Sequence, residues 1–129
     1  MKSSVAVWAL VITLGGVFVG ANKVQAENEI LEDSKVCGVA VGFAMQYMNS
    51  TDAQEIHKGA WSILMNKNLD DAQKLITLAT YHTIQEIAWR NMGRFTNTEE
   101  ANAFWKIASD RTKTECEYAL NRIRFPNMI

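Results

Sequence analysis

Residues 68–93, NLDDAQKLITLATYHTIQEIAWRNMG, decide the fold. Ala72, Leu75, Ile76 and Ala79 recur at intervals of three and four, the spacing of one helix face. Further along, Leu78, Tyr81, Ile84, Ile87, Ala88, Trp89 and Met92 occupy most of the other directions around the axis. A helix that is apolar nearly all round is buried by neighbours on several sides. The stretch therefore predicts the central helix of a small bundle. Asn68 is placed to cap it, Asp70 and Asp71 suit its positive start, and Gly93 supplies a left-handed stop.

Its neighbours carry the same period. Before it, Asn49-Ser50-Thr51-Asp52 opens a helix that ends near Asn66, with Thr51 and Gln54 spaced for a capping box. Ala53, Ile56, Ala60, Ile63 and Leu64 form its inner stripe, and His57, Trp61 and Met65 run beside it. Earlier still, a first helix spans Asp33 to Met48, with Gly38 and Gly42 four residues apart. Each glycine costs a helix about 1 kcal/mol relative to alanine, so the pair predicts close packing within the molecule. A seam between two copies is the competing reading. After Gly93, Thr96/Glu99 and Asn97/Glu100 are overlapping start signals for a last helix running to Arg124, where Pro126 ends it. No alternating strand pattern occurs. The expected fold is all-α, a four-helix bundle with antiparallel neighbours.

The chain begins with a stretch of another kind. Lys2 gives a positive start, Val5 to Val19 is an uncharged apolar run, and Val24-Gln25-Ala26 fits a signal-peptidase site. Residues 1–26 thus read as a signal peptide and 27–129 as one helical domain; a retained anchor is the competing reading. The leader holds two lysines, so its removal leaves 11 basic against 14 acidic residues, a charge of about −3. Basic side chains alternate with acidic ones along the last helix, which argues against nucleic-acid binding, and nothing points to a membrane surface after cleavage. Cys37 and Cys116 are the two cysteines of the chain, and an exported protein with two invites one disulfide, here joining the first helix to the last.

Reaction motifs are lacking. No serine sits in a nucleophile pattern and no glycine-rich loop could cradle a phosphate. His82 and Glu86, four apart, share a helix face and could join His57 in a polar or metal site, but a zinc helix wants a second histidine in register. The plainer reading is a structural histidine beside a Glu86–Arg90 pair. Met45 and Met48 raise copper or haem, yet methionine at helical spacing is ordinary core filling, so no cofactor is expected. Binding remains, with Tyr47, Trp61 and Phe95 as candidate anchors.

An exported four-helix chain with Val36-Cys37-Gly38-Val39-Ala40-Val41-Gly42 in its first helix and Lys113-Thr114-Glu115-Cys116-Glu117-Tyr118-Ala119-Leu120 in its last resembles the immunity proteins that protect bacteria from type VI secretion amidase effectors. The resemblance implies a stoichiometric inhibitor of a cell-wall enzyme and no catalytic residue. The expected function is a small periplasmic binding protein with another protein as partner, with homodimer formation also open. A stress chaperone and a metal or haem carrier are the alternatives.

Overall fold

A computed structural model describes residues 29–128, so the leader reading lies outside the described residues. Four helices follow in order: α1 (Asp33–Met45), α2 (Ala53–Leu64), α3 (Asp71–Arg90) and α4 (Thr98–Arg124), closed by a 3-10 turn at Pro126–Met128. No strand occurs among the described residues. The expected four-helix bundle is present, with α3 packed against the other three helices. α4 also packs on α1, whereas α2 is held chiefly by α3.

Local chemistry sets the helix ends, at places partly different from those the sequence predicts. The Asp52 carboxylate, not Thr51, caps α2 by accepting from the Gln54 amide at 2.9 Å. Asp70, not Asn68, caps α3 in a reciprocal box with Gln73, at 2.9 and 3.0 Å. A carboxylate meets the positive helix end better than a hydroxyl or amide does, and each aspartate lies just ahead of its helix. Asn68 is instead used in long-range bonding, its side chain donating to Glu29 O while its carbonyl accepts from Leu31 N at 2.8 Å. Of the two signals before α4, Asn97 with Glu100 is the one used. α1 stops at Met45, and residues 46–49 form turns rather than a further helical turn. Gly93 has φ of 74°, the left-handed stop expected of it.

The core has two clusters. In one, Met45, Met48, Ile63, Tyr81, Ile84 and Trp105 pack together. Nearer the end where α1 begins and α4 finishes, Val36, Ile76 and Leu120 surround the Cys37–Cys116 disulfide, whose Cα atoms are 5.7 Å apart. The bridge ties the first helix to the last. Arg124 reinforces it, donating to Asp33 at 2.8 and 3.0 Å and also to Asp70. Gln73 extends the network, its side-chain amide donating to Asp33 and to Leu31 O, both at 2.8 Å. One end of the bundle is thus fastened both covalently and electrostatically.

Glycine is needed for close approach at Gly59, not at Gly38. A Cβ on Gly38 would meet only the Lys113 Cε, at 3.8 Å. One on Gly59 would lie 2.2 Å from the Tyr81 Oη. Tyr81 is wholly buried, donates its hydroxyl to Ile56 O at 2.7 Å, and contacts the rings of Phe43 and Tyr47. That one side chain fixes how α2 lies on α3.

α3 is less enclosed than its composition predicts. Leu75, Ala79, His82, Glu86 and Trp89 all face solvent, at intervals alternating between four and three. Among the described residues three helices neighbour α3, and α2 covers one flank, so one stripe stays open. Trp61 and Leu64 on α2, and Ile123 on α4, are likewise exposed.

Candidate binding site

At the end of the bundle away from the disulfide, four segments meet around a cleft of about 200 Å³. Met48 and Asn49 follow α1, Thr51 precedes α2, Ala88 lies in the last turn of α3 with Asn91, Met92 and Gly93 just beyond its end, and Ala101 and Trp105 come from the first turns of α4. The floor is apolar and buried, built from Met48, Ala101 and Trp105. Asn49, Thr51 and Asn91 bring polar groups to it. Asn91 is held by its own helix, its amide donating to Ile87 O at 2.8 Å.

The end of α3 shapes one side of this cleft. Because Gly93 turns the chain left-handed, Phe95 returns to the lining instead of continuing away with the helix. Its ring centroid lies 4.9 Å from that of Phe104, and the Arg94 guanidinium lies 5.3 Å from the Phe95 ring centre and 5.6 Å from that of Phe104. Asn91 accepts from Arg94 at 2.8 Å, which steadies the cation over the rings. The result is an apolar recess beside a supported cation. It can accept an apolar side chain and, next to it, a negatively charged group. A cleft of this volume falls below the roughly 300 Å³ at which sites for drug-sized ligands begin, so a haem does not fit it.

The predicted site residues are dispersed. Phe95 lines the cleft. Trp61 is 64 % exposed on the outer face of α2 and is not part of it. Tyr47 is half-buried between Phe43 and Tyr81, at 5.4 and 5.8 Å between ring centres, so it acts as core. Burial, followed by the nearby Glu55 charge, pushes its hydroxyl pKa up. His57, His82 and Glu86 are all exposed; Glu86 is paired with Arg90, and the His82 ring stands edge-on to Tyr81 at 5.7 Å. Among the described residues, no three His, Cys, Asp or Glu side chains are placed to hold a metal ion. Cys37 and Cys116 form the expected bridge.

Sequence reading missed Met92, Arg94 and Phe104 at the cleft. Met92, which the apolar pattern places in the enclosed helix, is 56 % exposed. The available signal was the pairing of a helix-stopping glycine with an aromatic two residues later, ahead of a new helix start. No helix among the described residues is long and apolar enough to cross a membrane. The sequence matches no family model, and neither the curated proteins nor the solved structures contain a match to it.

Proposed function

We propose that this chain is a small exported binding protein, most concretely a periplasmic inhibitor or immunity protein of a cell-wall-directed enzyme. The observation that supports it best is the cleft at the free end of the bundle. Its buried floor, methionine and phenylalanine edges and adjoining Arg94 suit one protruding side chain of a protein partner. The disulfide suits an oxidising compartment. The acidic balance favours encounter with a basic enzyme surface. A stress chaperone is the second reading, favoured by the open apolar side chains of Trp61, Met65, Leu75 and Trp89.

The test is inhibition, not capture alone. Purified protein added to periplasmic extract digesting labelled peptidoglycan is expected to suppress digestion at near-equimolar ratio to the enzyme it retains. Phe95→Ala and Met92→Glu are expected to weaken that suppression without altering helical content. Unchanged digestion across growth conditions would remove the inhibitor reading. Protection of an aggregating client protein in place of inhibition would favour the chaperone.

A further inference from the structure

A second recess lies between α3 and α4, beside the disulfide and apart from the cleft. Its volume is about 180 Å³, and Cys116 and Ile76, both buried, form its floor. Thr80 and Thr83 of α3 line one side, Thr112 and Glu115 of α4 the other. Thr83 and Thr112 donate their hydroxyl protons to the carbonyls four residues back, Ala79 O at 2.9 Å and Ala108 O at 2.8 Å. A hydroxyl committed in this way can offer a guest only its oxygen, as an acceptor. Thr80 is 4 % exposed, yet its hydroxyl makes no hydrogen bond among the described residues. A buried hydroxyl left without a partner is costly and calls for an explanation. Glu115 is exposed at the mouth and forms no ion pair among the described residues.

These groups describe one kind of guest. The recess is bordered by accepting oxygens and a carboxylate, and no lysine or arginine lines it. It is complementary to a group with a positive charge and several N–H donors. Ile76, Ala79 and Ala119 give it apolar walls that suit a methylene stem behind that charge. A lysine side chain has both parts, a compact ammonium with three donors on a four-carbon stem. The flat fork of arginine suits paired, coplanar acceptors, whereas these oxygens come from two different helices. The volume falls below the roughly 300 Å³ at which small-molecule sites begin, so the recess takes one side chain of a larger body and does not enclose a free amine. The acidic balance of the chain favours a basic partner. We propose that the α3–α4 recess is a socket for a single lysine of a partner protein, recognised by the Glu115 carboxylate and the Thr80 hydroxyl. The socket rests on the reading of this chain as a protein-binding module and adds a contact outside the cleft.

Amide NMR of the purified, disulfide-bonded protein, titrated at low salt with Nα-acetyl-lysine methylamide, tests this with no partner needed. The expected result is saturable shifts at Thr80, Thr83 and Glu115 with a dissociation constant of about 10 mM, while Met92 and Phe95 in the cleft stay unmoved. The same probe acetylated at Nε, which removes the charge, is expected to bind about tenfold more weakly, and Glu115→Gln to weaken the charged probe by a similar factor. Thr80→Val keeps the side-chain shape and removes only the unpartnered hydroxyl, so it is expected to retain the melting temperature while binding the probe several-fold more weakly. No shift at about 100 mM probe, an equal response to the Nε-acetylated probe, or unchanged binding in either variant overturns the proposal. So do shifts confined to Met92 and Phe95. Binding of 1,4-diaminobutane about tenfold tighter than the lysine probe overturns the protein-borne source. Probe binding and peptidoglycan digestion are read separately, so a failed titration leaves inhibition through the cleft standing, and absent inhibition leaves a positive titration standing.

Discussion

Gly59→Ala should destabilise the protein, although alanine is the better helix former. In an unobstructed helix the exchange gains about 1 kcal/mol. Here the new methyl would sit 2.2 Å from Tyr81 Oη, 2.7 Å from Cζ and 2.9 Å from Cε1. Three atoms of one ring would have to move together. The ring is fully buried against Phe43 and Tyr47 and tethered through its hydroxyl to Ile56 O. Overpacking a fixed site costs about 1–3 kcal/mol, and tilting the ring out loses a buried hydrogen bond worth about 1 kcal/mol. Set against the propensity gain, the net expected loss is about 2 kcal/mol. Urea unfolding followed by far-UV circular dichroism measures it. Gly38→Ala is the matched control: its methyl meets only the flexible end of Lys113 at 3.8 Å, so it should stabilise by up to about 1 kcal/mol. Adding Tyr81→Phe to Gly59→Ala should rescue only part of the loss, because the Cζ and Cε1 contacts remain. A Gly59→Ala protein as stable as the parent would refute the claim that Tyr81 fixes the seat of α2.

Replacing Cys37 and Cys116 together by alanine should cost about 4 kcal/mol in urea unfolding, since the bridge closes a loop of sequence separation 79; a loss below about 1 kcal/mol would show that the reduced chain is already restrained. Stability should also fall in acid through Asp33. Its hydrogen bonds from Arg124 hold the carboxyl below the usual carboxylate range, despite opposing desolvation. That contribution is complete above about pH 4, the unfolded value, and is lost as pH falls through the lower folded value. Urea midpoints across acid pH should therefore drop less steeply in Asp33→Asn than in the parent, and equal slopes would place the acid sensitivity elsewhere. Gln85 is buried with neither its side-chain oxygen nor its nitrogen bonded, so Gln85→Leu should raise stability by about 1–2 kcal/mol in the same assay. A comparable loss would show that water satisfies the amide.

The bundle was legible because helix period and end signals leave direct marks in sequence. The disulfide was legible because a chain that reads as exported and carries two cysteines, one in the first helix and one in the last, invites one bridge. Capping was legible as a region but not as a residue. Thr51 and Asp52, or Asn68 and Asp70, compete locally, and carboxylate charge together with the long-range use of Asn68 decides between them. The burial of α3 was over-read, because an all-round apolar composition says nothing of how many neighbours are available. Gly59 shows the reverse failing. One glycine in a helix has no periodicity of its own, and its partner Tyr81 is 22 positions away, so only the folded chain identifies them as a contact. The cleft was hidden for the same reason, since its lining comes from four segments and, of its residues, Phe95 alone stood out as a binding anchor.

The two ends of the bundle are built differently. At one end, the disulfide, the Arg124 pairings with Asp33 and Asp70, and the Gln73 and Asn68 bonds hold four chain segments in register. At the other, α1 gives way to turns, α3 ends in a left-handed glycine, and the space between is bounded by Met48, Met92 and Phe95 around Trp105. Methionine adapts its shape at low cost, so these edges can close on a side chain that does not match them perfectly. A frame already fixed at its far end loses little further freedom when the near end is ordered, and that saving raises affinity. On the proposed function, fastening and binding are thereby separated along the helix axis. Substitutions in the Arg124 network should alter stability before they alter recognition, and substitutions at the cleft should do the opposite.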